Sequence, residues 1–275
     1  MQKTLLGLLA LVVFLSTELT QAQSVTSAPD LNASLDDKWE WGSGKAESTR
    51  GDTWIAFSFE RMMCEHCFVG SFHDGRKTQR ATLEEQLLGT TSSPISVERA
   101  ARRALDDIDG HEDRMVMKSM AVLVHVSRGQ VIEVDVSSMQ SHFNFEGESV
   151  FWLGASSTSE SFGLLKEVYS DRLAEEAQKG IVWAVGSLRL GESALPFLTG
   201  IARNNRSTEV RKAAVYSIGN QQVREAVSVL KRVIEEDEDR EVQKAAIYSL
   251  GNNNTQEARQ ALLSIIQDMG RISSS

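Results

Sequence analysis

Cysteine is almost missing from this chain of 275 residues: Cys64 and Cys67 are the only two. That excludes the small secreted scaffolds held by a disulfide framework, so stability must come from packing. Positive charge is not in excess either. The 29 Lys and Arg face 38 Asp and Glu, leaving a net charge of −9, which excludes a general nucleic-acid binder that needs a basic patch for phosphates. No apolar run approaches the roughly 18 residues of a membrane-spanning helix. The phosphate-cradling GxxxxGKS/T loop and the GxSxG nucleophile elbow are both absent.

The start of the chain reads as a secretory signal. Met1-Gln2-Lys3 is basic, Leu5 to Leu15 is apolar but short, and Thr20-Gln21-Ala22 offers small residues for cleavage near Ala22. Residues 1–22 are therefore expected to be removed, leaving a soluble periplasmic or secreted protein with no stable membrane insertion. Residues 23–37, rich in Ser, Thr, Asp and Asn, read as a flexible lead-in.

Residues 38–143 read as a small α+β, β-rich domain. Thr53 to Phe59 is β-favouring, with Ile55, Phe57 and Phe59 on one face. Phe68 to Phe72 suggests another strand, and Ala81 to Leu88 and Val97 to Ile108 read as helices. Met115 to Val126 and Val131 to Val136 form a hairpin whose turn is Ser127-Arg128-Gly129.

The second half is dominated by self-similarity. VFWLG ends at Gly154, IVWAVG at Gly186, AVYSIG at Gly219 and AIYSLG at Gly251, spacings of 32, 33 and 32 residues. A fixed period of this size marks stacked helical units. Residues 144–271 are therefore expected to form four units, each a first helix ending in a left-handed glycine cap and a second amphipathic helix. The second helices fall at Ser159 to Tyr169, Glu192 to Ala202, Arg224 to Ile234 and Gln256 to Met269. Leu164, Leu165 and Val168, like Val227, Leu230 and Val233, mark their buried stripes.

Aligned on the glycines, the units resolve into columns. Phe151, Trp183, Tyr216 and Tyr248 form an aromatic column. Lys179, Lys212 and Lys244 form a second, and Glu176, Glu209 and Glu241 a third; the first unit departs from both with Gly147 and Asn144. Glu and Lys three apart are helix neighbours. The aromatics fit either packing between units or a partner-anchoring ladder of Trp183, Tyr216 and Tyr248.

The paired pattern EVRKAAVYSIGN with AVSVLKRVIEED, and EVQKAAIYSLGN with ARQALLSIIQD, resembles HEAT repeats, and is similar to the short repeats of bilin-lyase-type arrays. The whole chain further resembles exported bacterial HEAT-repeat proteins with a β-rich N-terminal part. The resemblance implies an α-solenoid that binds another protein. The family's di-iron hydroxylase needs repeated His-Glu pairs on its helices; here the one such pair is His111-Glu112, and no histidine follows His142. Bilin lyases act on cytosolic antenna proteins, which conflicts with a signal peptide. The chain thus reads as a scaffold and not an enzyme, with no catalytic residue, cofactor or metal expected and the sheet unit capping the first repeat.

One local motif could carry chemistry. Cys64-Glu65-His66-Cys67 suits a disulfide across a tight turn, a redox dithiol, or, with His66 and His73, a zinc site. The β-like flank gives no helix N-terminus to activate a thiol, and Pro94 is a poor match for the cis-proline of thioredoxins, so the disulfide is the expected state. The alternative function is thiol-disulfide or metal handling at this pair, with the repeats as a docking arm. The acidic run Asp106 to Asp113 does not fit an EF-hand. Three glycosylation sequons, at Asn32, Asn205 and Asn253, are expected to stay bare in a bacterial periplasm.

Overall fold

The computed structural model describes residues 24–64, 81–89, 114–253 and 255–272, with the side chains of 268–272 left aside. Five strands and nine helices are described. β1 (Val25–Ser27) is followed by α1 (Leu35–Ser48), β2 (Thr53–Cys64), α2 (Leu83–Leu88), β3 (Met115–Ser127), β4 (Gln130–Ser138) and β5 (Ser149–Ala155). Helices then run consecutively: α3 (Thr158–Val168), α4 (Glu175–Leu188), a 3-10 turn (Gly191–Ala194), α5 (Leu195–Asn204), α6 (Thr208–Gly219), α7 (Arg224–Glu236), α8 (Arg240–Asn252) and α9 (Gln256–Ile272). An N-terminal sheet unit precedes an all-α array, as the sequence predicts.

The sheet order is β1-β5-β2-β3-β4. β5 runs parallel to both β1 and β2, while β2–β3 and β3–β4 are antiparallel. The β3–β4 hairpin turns on Arg128 (φ 52°) and Gly129 (φ 75°), the two positive φ values a two-residue type I′ turn requires. Both faces of the sheet are buried, which is why β2 begins as an unbroken apolar run. Ile55, Phe57 and Phe59 face the helices, while Trp54 and Ala56 pack with Leu83, Phe143 and Phe145 on the other side.

The helices and the helix-facing side of the sheet share one continuous core, from Ile55 and Val134 through Ile181 and Val215 to Ala258. The junction is backbone on helix. A Cβ on Gly180 of α4 would run into the carbonyl oxygen of Val134 in β4, so only glycine permits the contact. α4 thereby covers the edge strand of the sheet, a position that would otherwise invite pairing with another chain. The sheet does cap the array.

Three sequence expectations are corrected here. VFWLG is the strand β5, not a first helix. Four apolar residues before a glycine satisfy a buried strand as well as a helix turn, and pairing with β1 and β2 decides. The sheet unit therefore extends to about residue 155, past the expected boundary at 143, and the array holds three complete helix pairs preceded by α3. Second, residues 23–37 are no free lead-in: β1 pairs with β5, and Ser34 caps α1 by accepting from the Asp37 N–H. Third, Gly186, Gly219 and Gly251 are not left-handed caps, since none has positive φ. The strands and helices expected at 68–72 and 97–108, the signal segment, Cys67, His66, His73, Pro94 and the run from Asp106 to Asp113 lie outside the described residues.

The glycine column instead sets the helix spacing. A Cβ on Gly186 would stand 2.7 Å from the Cβ of Ser217, and one on Gly219 would stand 2.8 Å from the Cβ of Ser249. α4 and α6 thus each offer a glycine to a serine of the next first helix. Ser217 returns a hydrogen bond to the Val182 carbonyl at 3.0 Å. Gly251 meets nothing within 4 Å.

Polar seams fix the register between units. Arg211 of α6 donates to both carboxylate oxygens of Asp237, at 3.1 and 3.3 Å, and to the Asn205 carbonyl. Asn205 is buried and donates to Tyr169 Oη (2.9 Å) and Gln178 Oε1 (2.6 Å). The sequons at Asn205 and Asn253 are turn-and-cap motifs. Each Asn oxygen accepts the N–H of Ser207 or Thr255 two residues on, and that hydroxyl caps the following helix.

Candidate interaction surface

First helices α4, α6 and α8 pack side by side, and residues at spacings of three and four line their solvent side. On α4 these are Glu176, Lys179 and Trp183; on α6, Glu209, Lys212 and Tyr216; on α8, Glu241, Lys244 and Tyr248. All three Glu–Lys pairs form, with N–O distances of 2.8, 2.9 and 2.7 Å. The hydrogen bond to Glu209 raises the Lys212 pKa above its ordinary value, against a small opposing effect of burial. Exposed pairs of this kind contribute well under about 1 kcal/mol each. Their regularity shapes the surface more than it stabilises the fold.

The aromatic column divides. Trp183 and Tyr216 are half-buried and stack with centroids 5.9 Å apart and planes at 13°. Tyr248 is 67% exposed. Phe151, the fourth member by sequence, is in β5 and packs edge-on against Trp41 at 5.9 Å. Packing therefore accounts for one end of the column, and a solvent-facing ring occupies the other. The opposite layer, α5, α7 and α9, offers a shallow groove of about 250 Å3 between α5 and α7, bordered by Arg203, Arg232 and Glu236 and without an aromatic ring.

Cys64 ends β2 and is 8% exposed; no free cysteine occurs among the described residues. Its candidate partner Cys67 is outside them. A basic side chain on the same strand is tied into the array: Arg61 donates to the Ser187 carbonyl at 2.8 Å, joining β2 to the end of α4. Burial, and then the neighbouring Arg189, lower its pKa to about 10.

One constellation has no counterpart in any sequence motif. The N–O atoms of Asp52, His125 and Glu148 lie within 4.8 Å of one another at the sheet end. Sequence spacing hides this set, since β5 enters the sheet between β1 and β2 and carries Glu148 across from far along the chain. Cross-strand register is the signal that finds it: His125 pairs with Trp54 on one side and Glu133 on the other.

Residues 201–270, spanning α5 to α9, match the family model for HEAT repeats. No curated protein matches the chain closely enough to count as a relative. The match supports a HEAT-repeat domain in the C-terminal half, the class of repeat that commonly mediates protein–protein interaction. No helix among the described residues is long and apolar enough to cross a membrane.

Proposed function

We propose that this is an exported scaffold protein whose HEAT-like array binds another protein through the solvent side of α4, α6 and α8. The observation that carries the reading is the in-register grid of three Glu–Lys pairs and three aromatic rings on adjacent helices. Repeat arrays bury their apolar stripes between neighbours and leave a long surface free for recognition. Exposed Tyr248 is the natural anchor, because an amphipathic ring gains much contact area for little lost side-chain freedom. Binding, not catalysis, is the role proposed, and export rests on the signal-like residues 1–22.

The competing thiol or metal role at Cys64 and Cys67 has less behind it. A cysteine this buried, and not free, is poorly placed to attack a substrate, and a Cys64–Cys67 bridge remains the proposed state of the pair.

A pull-down from envelope extract tests the interaction. Wild type is expected to capture a defined protein that Tyr248→Ala loses and Arg232→Ala, on the other layer, retains. Identical capture by wild type and Tyr248→Ala would overturn the surface assignment.

A further inference from the structure

His125 sits in the middle of a polar row crossing the sheet. Its ring stacks on Trp54 with centroids 4.2 Å apart and planes at 6°, which fixes the imidazole plane. His125 is 7% exposed, and neither ring nitrogen has an aligned hydrogen bond. Nε2 lies 3.0 Å from Glu148 Oε2, and Nδ1 lies 3.5 Å from Glu133 Oε2. Trp54 Nε1 donates to that same Glu148 oxygen at 2.7 Å, holding the carboxylate beside the imidazole. Asp52, exposed and one residue before β2, completes the set. Asp52 also borders a surface hollow together with Ser127, Arg128 and Gln130.

We infer that Asp52, His125 and Glu148 form a binding site for a divalent transition cation such as Zn2+. Two ligands each about 2.1 Å from a cation and 3.0 Å apart subtend about 90° at it, so a widening of the gap by a few tenths of an ångström reaches the roughly 109° of a tetrahedral site. An ordinary hydrogen bond at the same distance would need alignment that is missing here. The donors also match the charge: two carboxylates and a neutral imidazole offset two positive charges.

Glu133 faces the other ring nitrogen. At 3.5 Å the pair is not yet an aligned hydrogen bond, but a small adjustment on metal binding would let Glu133 accept from Nδ1–H and leave the Nε2 lone pair for the metal, the carboxylate–histidine–metal arrangement in which an outer carboxylate orients a ligand. The nitrogen donor disfavours Ca2+ and Mg2+, which take oxygen ligands. Three protein ligands, one of them exposed, leave a coordination position for water or for a group from a partner.

Calorimetric titration of metal-stripped full-length protein with Zn2+ tests the site. One equivalent is expected to bind, at least tenfold more weakly in Asp52→Asn and in Glu148→Gln, and unchanged in Cys64→Ser/Cys67→Ser. Asp52 is exposed, so its variant should keep the fold even where His125→Ala does not. No Zn2+ binding by wild type, wild-type affinity in Asp52→Asn, loss of binding with the cysteines, or Mg2+ binding as tight as Zn2+ would each overturn the assignment.

Discussion

Gly186 of α4 and Ser217 of α6 meet with no room for a side chain between them: a Cβ on the glycine would lie 2.5 Å from the serine hydroxyl oxygen. The same relation recurs between Gly219 and Ser249, but Gly251 has no neighbour within 4 Å. One added methyl group should therefore have opposite effects along the array. Gly186→Ala and Gly219→Ala are expected to lose about 1–3 kcal/mol through overpacking. Gly251→Ala is expected to gain about 0.5–1 kcal/mol from alanine's better helix propensity. Urea denaturation of the three variants separates spacing from capping, because a capping role would make all three destabilising.

Gly180 tests the junction of sheet and array. Its contact is with the Val134 backbone, which cannot rotate away as a side chain can. Gly180→Ala should lose about 3 kcal/mol or more. The shared core further predicts that wild type unfolds in one transition by both far-ultraviolet circular dichroism and tryptophan fluorescence. Two separated transitions would show that the parts fold independently.

Tyr169 carries a pH dependence of known sign. Burial is the largest cause raising its pKa from 10.0 to about 12, partly offset by the hydrogen bond from Asn205 and reinforced by Asp171. Between those values the unfolded chain releases its phenolic proton first. The contribution is therefore complete below pH 10 and is lost as pH rises toward about 12. Ultraviolet titration should find one late-ionising tyrosine, absent in Tyr169→Phe. Asn205→Ala, which strips a donor from Tyr169 and Gln178, should cost about 1–3 kcal/mol.

At an exposed helix start the sign reverses. The Ser157 side chain, then its backbone N–H, holds the Glu160 carboxyl below its ordinary pKa of 4.5. That stabilisation is present above the unfolded value and disappears as pH falls through the folded one. Ser157→Ala should return the Glu160 pKa, followed by carbon-detected NMR, toward 4.5.

Patterning made much of this fold legible. Alternation placed Ile55, Phe57 and Phe59 on one face, the positive-φ pair Arg128-Gly129 closed the hairpin, and the Glu–Lys columns became three ion pairs. Elsewhere periodicity misled. The run from Val150 to Gly154 copies the helical signature, yet its backbone pairs with β1 and β2, and such pairing leaves no local trace. The glycine column was visible, but its purpose lies in Ser217 and Ser249 on the next helix, a contact between elements about 30 residues apart. Asp52, His125 and Glu148 were hidden for the same reason, since only the inserted β5 brings Glu148 beside His125.

Site-specific photo-crosslinking tests the interaction surface most directly. A crosslinking residue replaces Lys212 or Tyr248 on the first-helix side, and Glu225 or Arg232 on the second-helix side, in the full-length protein expressed in its host. The grid predicts one shared protein adduct from positions 212 and 248 and none from 225 and 232. Adducts formed equally from both sides, or only from the second, would contradict it.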